Sequence, residues 1–227
     1  MKIDSKMFET FVKKCSLNGT IKTGIIRGNG QELTMKSKST DAIAVYGMLN
    51  NVKDEVCFPI KDNNRLLKIL NIFKGTINSE VQNNMLKLFN ENDEGEIILA
   101  DESFIDNEVK KQPDIPYEGE IKLNAAFFQS AIKNREIVEA ENYILEVKDN
   151  ILSIITGDKN FDKLRKKIKV DHKDCKIELS SLFDNIVKVL SGEVTVFLGT
   201  DKPIKIIEKT PEMTFVYFIA DLETQEE

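Results

Sequence analysis

The sequence predicts an α+β protein of two similar domains, each with two helices packed on curved antiparallel sheet. Three observations carry that prediction. Most of the chain is short runs in which apolar and polar residues alternate, separated by Gly, Asn, Asp and Pro turns, which is the pattern of half-buried antiparallel strands. Four segments switch to helical spacing. Finally, an offset of 120 residues superposes three separated segments of the second half on the first: Lys2-Ile3-Asp4 on Lys122-Leu123-Asn124, Leu66 to Leu70 on Ile186 to Leu190, and Ile97 to Asp101 on Tyr217 to Asp221. One constant spacing for three elements marks a duplication.

The first repeat opens on a strand, Met1 to Asp4, and Asp4 or Ser5 caps a helix whose Phe8, Phe11, Val12 and Cys15 share a face, with Lys6, Glu9, Lys13 and Lys14 opposite. Asn18-Gly19 ends it. Strands follow at Gly24 to Arg27, Glu32 to Lys36, Ala42 to Leu49 and Val56 to Ile60, with Gly28-Asn29-Gly30 as a hairpin turn. Asp62 starts a second helix that turns Leu66, Leu67, Leu70 and Phe73 inward and Arg65, Lys68 and Lys74 outward; strands Gly75 to Ser79, Met85 to Phe89 and Glu96 to Asp101 close the repeat. A linker over residues 102–119 follows, its second half broken by Pro113 and Pro116.

The second domain, residues 120–223, repeats the plan. A strand Glu120 to Leu123 leads into a helix with Phe128, Ala131 and Ile132 inward and Gln129, Lys133 and Arg135 outward. Strands are expected at Tyr143 to Lys148, Ile151 to Thr156, Leu164 to Asp171 and Cys175 to Leu179. A fourth helix, Ser181 to Leu190, exposes Asp184, Asn185 and Lys188. Three last strands run from Ser191 to Glu223, broken at Gly199 to Pro203 and at Thr210 to Glu212, and residues 224–227 are an acidic tail.

Composition narrows the function. Apolar residues make up 41% and charged residues 31% of the 227, and the net charge is −6. This suits a globular protein with a heavily charged surface and argues against one that binds nucleic acid over its whole surface. Cys15, Cys57 and Cys175 are odd in number and outside any Cys-x-x-Cys, so buried thiols in a reducing compartment are expected. No secretion signal and no apolar run of membrane length is present, so an intracellular protein, not a secreted one, is expected. The single histidine, His172, excludes a histidine metal cluster and reads as a solvated loop residue. Phosphate-binding glycine loops and paired catalytic carboxylates are missing too, so neither an enzyme nor a cofactor or metal is expected. What recurs is a cation on the polar side of every helix: Lys13 and Lys14, Arg65 and Lys68, Lys133 and Arg135, and Lys188. Collected on one face, these would hold phosphates loosely and without sequence preference.

The C-terminal stretch adds a resemblance. Pro203-Ile204-Lys205-Ile206, a hairpin, and then Tyr217-Phe218-Ile219-Ala220 resemble the closing strands of sliding clamps of the proliferating cell nuclear antigen type, with Asp221 where that family has proline. The resemblance extends over about 220 residues through the duplication, and Pro113-Asp114-Ile115-Pro116 resembles the family's interdomain loop. It implies the DNA clamp fold, closed into a homotrimeric ring with helices inside, and a processivity function: duplex DNA encircled, a DNA polymerase and other clamp-binding proteins tethered through short peptide motifs, a clamp loader to open the ring, and no catalysis. The rival is a monomeric clamp-like DNA-binding or transcription accessory factor.

The resemblance implies two further sets of residues. A partner-peptide pocket would be formed by Ile43, Val45, Ile115, Pro116, Pro203, Phe218, Ile219 and Ala220. Subunits would join through an acidic edge, with Glu96, Ile98 and Asp101, and a basic one, with Lys163, Arg165, Lys166 and Ile168; opposite charge favours head-to-tail contact.

Overall fold

The computed structural model of the chain describes residues 1–39, 42–157 and 162–222; Glu223 and the acidic tail lie outside them. The chain divides into two compact units, one of Met1–Thr40, Ala44–Gln112 and Thr210–Phe215, the other of Asp41–Ile43, Pro113–Lys209 and Val216–Glu227.

The first unit runs β1 (Lys2–Asp4), α1 (Ser5–Cys15), β2 (Gly24–Asn29), β3 (Glu32–Lys38), β4 (Ile43–Asn50), β5 (Glu55–Ile60), α2 (Asn63–Leu70), β6 (Thr76–Gln82), β7 (Met85–Phe89) and β8 (Glu94–Ile98). Both helices start where an aspartate accepts from the backbone, Asp4 from the Met7 amide at 2.9 Å and Asp62 from the Arg65 amide at 3.0 Å, which satisfies one of the four amides that a helix start leaves open. Two strand orders result, β1-β6-β7-β8 and β5-β2-β3-β4, all pairs antiparallel. The inward arc of α1, with Phe8, Phe11, Val12 and Cys15, is fully buried, and Phe11 packs 6.3 Å from the ring of Phe215.

The second unit runs β9 (Ile121–Asn124), α3 (Ala126–Val138), β10 (Asn142–Lys148), β11 (Ile151–Thr156), β12 (Leu164–Lys169), β13 (Cys175–Ser180), α4 (Phe183–Val187), β14 (Glu193–Phe197), β15 (Ile204–Lys209) and β16 (Met213–Ile219). Its orders are β9-β14-β15-β16 and β13-β10-β11-β12. Each strand is the counterpart of the one eight earlier in the chain, and the two sheets repeat the orders of the first unit strand for strand. The offset is the one the sequence carries, as Glu55–Ile60 against Cys175–Ser180 shows. The core of this unit is aromatic. Phe127, Phe128, Phe183 and Tyr143 form a chain of contacts with centroids 5.4 to 5.8 Å apart, mostly edge to face, the geometry that ring quadrupoles favour.

Two expectations are corrected here. The fourth helix is only Phe183–Val187, entered through turns in which the Asp184 and Asn185 amides donate to the Ser181 and Leu182 carbonyls, and Asp184 is turned inward where it was expected to be exposed. His172 is buried: its Nδ1–H donates to the Lys173 carbonyl at 2.8 Å, and the ring fills the space that a side chain on Gly119 would need.

Candidate nucleic-acid and partner interfaces

The helix cations separate into two groups. Lys13, Arg65, Lys68, Lys133 and Lys188 are exposed, and none forms an ion pair with any described residue. They are free to meet phosphates. Lys14 and Arg135 are corrections. Lys14 is only 8% exposed and its ammonium lies 5.6 Å over the Phe215 ring; adjacent lysines on a helix lie 100° apart, and this one falls on the border of the apolar arc. Arg135 turns back into the unit, where Nη2 donates to Asp184 at 2.7 Å, Nε to the Tyr143 hydroxyl at 3.1 Å and Nη1 to the Ala140 carbonyl at 3.0 Å. Tyr143 in turn donates to the other Asp184 oxygen, and its pKa is raised by burial and then by that carboxylate. This is a largely buried structural network, and it withdraws Arg135 from the set of exposed helix cations.

In the first unit β8 is an edge strand, and in the second β12 is one. Which backbone groups face outward follows from the ladder. Leu99 donates its amide to the Asn84 carbonyl and Val170 to that of Asn150, both 2.9 Å. Backbone direction alternates along an antiparallel strand, so Glu94, Glu96 and Ile98 point their amides and carbonyls away from β7, and Arg165, Lys167 and Lys169 point theirs away from β11. Ile98 is 60% exposed. Lys163, Arg165, Lys167, Ile168 and Lys169 are exposed as well. Lys166 is half-buried, bonded to the Ser130 hydroxyl and lying 5.7 Å over the Phe127 ring, so it serves α3 and not the outer edge.

Beyond β8, Asp101 accepts from the amide and hydroxyl of Ser103 and so caps a single 3-10 turn, Glu102–Phe104. Arg27 ties this region down: Nη2 lies 2.8 Å from Glu102 and Nε 3.0 Å from Glu108. The Cys57 thiol, pushed up to about 11 by burial and then by Glu102, also donates to Glu102. The rest of the linker's first half pairs with β3, where Lys38 donates to Asn107 and Val109 to Lys36.

In the second unit the last part of the linker is sewn to β15. Lys202 donates to the Pro116 carbonyl and Tyr117 to that of Pro203, both at 2.7 Å, and the Tyr117 ring lies 5.6 Å from Phe197. Lys205 sits 4.9 Å over Phe197 and 5.9 Å over Phe218. Lys173 pairs with Glu118 and lowers its pKa. Ile115, Pro116, Pro203 and Ala220 remain accessible along this seam. Ile43, Phe218 and Ile219 are buried, as is Val45 in the first unit. These four correct the proposed pocket, because their side chains are covered: Ile43 and Val45 lie on one face of β4, and the adjacent Phe218 and Ile219 lie on the two faces of β16, both of which are buried.

No protein-family model and no curated protein matches the chain. Solved structures do. A proliferating cell nuclear antigen of A. fulgidus, solved with the C-terminal region of FEN-1, matches with a TM-score of 0.83 and 16% identity over 97% of this chain and 96% of that one. The proliferating cellular nuclear antigen of Entamoeba histolytica gives 0.81 and 15% over 97% of each. The chain has the fold of the sliding clamps. The DNA polymerase III β chain of Streptococcus pneumoniae matches at 0.76 and 17%, over 98% of this chain but 64% of its own length.

Within the clamp fold, Asp221 acquires a role that its sequence position hid. It is 1% exposed and accepts from the Glu178 amide at 3.2 Å, while Leu222 donates to the Glu178 carbonyl. The residue clips the segment after β16 to β13. Tyr117 and Lys202 were missed in the sequence because each reads as an ordinary linker or turn residue, and Lys205 was read only as a strand position. The one available signal was Tyr117, the sole aromatic between two prolines and the next strand.

Proposed function

We propose that the chain is the subunit of a DNA sliding clamp, a non-catalytic processivity factor that closes head to tail as a homotrimer around duplex DNA. The observation that supports this best is the presence of two open strand edges of opposite charge, Glu94, Glu96 and Ile98 on one and Arg165, Lys167 and Lys169 on the other. A lone subunit would leave both edges unpaired, and cyclic closure removes them. The exposed cations Lys13, Arg65, Lys68, Lys133 and Lys188 would face the duplex. Held loosely, phosphates give attraction without a register, and topology supplies the retention that weak contacts do not. Partner peptides would be taken along the accessible seam of Ile115, Pro116, Pro203 and Ala220, beside Lys205; a clamp loader would open the ring.

The test has two parts. Light scattering should give three times the subunit mass. Subunits dissociated by dilution and reassembled in the presence of nicked circular plasmid should then stay on it at high salt and slide off once the plasmid is linearised. Equal loss from circular and linear DNA would refute encirclement.

A further inference from the structure

Phe104 is the most exposed large apolar side chain among the described residues, at 81%. A single exposed apolar side chain is ordinary on a protein surface, so exposure alone does not mark it. What sets it apart is that its backbone is held. Its turn is capped by Asp101, its amide donates to the Asp101 carbonyl at 3.0 Å, the next residue Ile105 is buried, and Glu102 beside it is fixed by Arg27 and Cys57. A binding anchor with its conformation set in advance loses less entropy when it docks. Around it the exposed charges Asp101, Glu102 and Asp106 are all negative, and it follows β8, whose Ile98 is exposed.

The complement to such a surface is apolar and basic. The second unit carries it in β12, where Ile168 is exposed among Lys163, Arg165, Lys167 and Lys169. We infer that Phe104 is the anchor of the contact between copies, its ring covered by the basic β12 edge region of a second copy of this chain. The inference rests on the head-to-tail assembly proposed above and adds to it a hot spot outside the paired strands. Aromatic anchors at the centre of charged rims carry a disproportionate share of contact energy.

Equilibrium sedimentation of the wild type, Phe104→Ala and Ile72→Ser over a range of concentrations decides it. Ile72 is exposed too, at 61%, but lies beyond α2 and serves as the control. Phe104→Ala should need about ten to a hundred times more protein to assemble, with circular dichroism and thermal midpoint of the dissociated subunit unchanged, while Ile72→Ser assembles as the wild type does. In addition, p-benzoylphenylalanine in place of Phe104 should cross-link to a β12 peptide of another copy. If the wild type assembles and Phe104→Ala assembles equally well, or the cross-link lands elsewhere, the inference is overturned and the ring reading stands. A wild type that stays monomeric at every concentration overturns both.

Discussion

Asp184→Ala is the sharpest perturbation of the second unit, because it removes one group from a network whose other members cannot leave. The Asp184 side chain is 7% exposed and that of Arg135 20%. Breaking a buried pair by removing one partner costs about 3 to 5 kcal/mol, since the remaining charge is left without compensation. Two features of the geometry place this case near the lower end. Arg135 keeps its bonds to Tyr143 and Ala140 and retains some access to water, and the Tyr143 hydroxyl, having lost its acceptor, still accepts from Arg135. The expected loss is therefore about 3 kcal/mol, or roughly 6 to 12 °C in the midpoint for a chain of this size. Urea unfolding measures it. Arg135→Ala should cost a comparable amount, and the double variant should cost well under the sum of the two, because neither group is then stranded. The DNA readout separates structural from nucleic-acid roles: Arg135→Ala should leave the salt slope of DNA binding unaltered. A loss below about 0.5 kcal/mol for Asp184→Ala, of the size expected for a surface site, would refute the reasoning.

Three further outcomes are expected. Reversing Lys13, Lys68, Lys133 and Lys188 to Glu should abolish retention on circular DNA with the fold intact, and each single loss of a phosphate contact should flatten the salt dependence by about one unit of slope; unchanged retention in the quadruple variant would remove these helices from the DNA path. Ile98→Pro and Lys167→Pro delete outward amides only, so they should weaken assembly in sedimentation while leaving each subunit's unfolding curve near wild type, whereas Ile168→Pro breaks the β11 ladder and should destabilise the subunit itself. Burial raises the pKa of Tyr117 from 10.0 to about 12, so the folded state holds that proton more tightly than the unfolded one; its contribution is fully present below pH 10 and is lost as pH rises from 10 to 12. Tyr117→Phe should flatten stability in that window, and a slope identical to wild type would show that the hydroxyl does not ionise there.

Much of the architecture was legible because it depends on local rules. Asp4 and Asp62 announce their helices by being short acceptors ahead of an apolar arc, and Phe8, Phe11, Val12 and Cys15 declare a buried face by spacing alone. The offset of 120 residues gave the repeat, and the repeated strand orders follow it. What failed failed at borders. Lys13 and Lys14 have the same chemistry one residue apart, and only packing against Phe215 decides which of them is buried. Arg135 sits at an outward position of α3, yet its side chain is long enough to reach Asp184 on another element, a reach that no spacing rule encodes. Ile43 and Val45 were hidden by the opposite difficulty: alternation shows that one face is covered but not whether a partner or the core covers it, and Phe218 and Ile219 lie on a strand covered on both faces, where alternation carries no signal. Tyr117 and Lys202 act through backbone carbonyls, which carry no sequence signal.

The duplicated plan does not extend to how each of the two units is fastened. At the offset that relates the two units, the network residues Arg135, Tyr143 and Asp184 correspond to Cys15, Thr23 and Asn64, none of them charged, and Asn64 simply donates to the Gly19 carbonyl. Cys15 is fully buried and Asn64 exposed, so an arginine grafted at Cys15 would be a stranded charge. The second unit closes with an ion pair and a phenol the place that the first closes with one neutral amide.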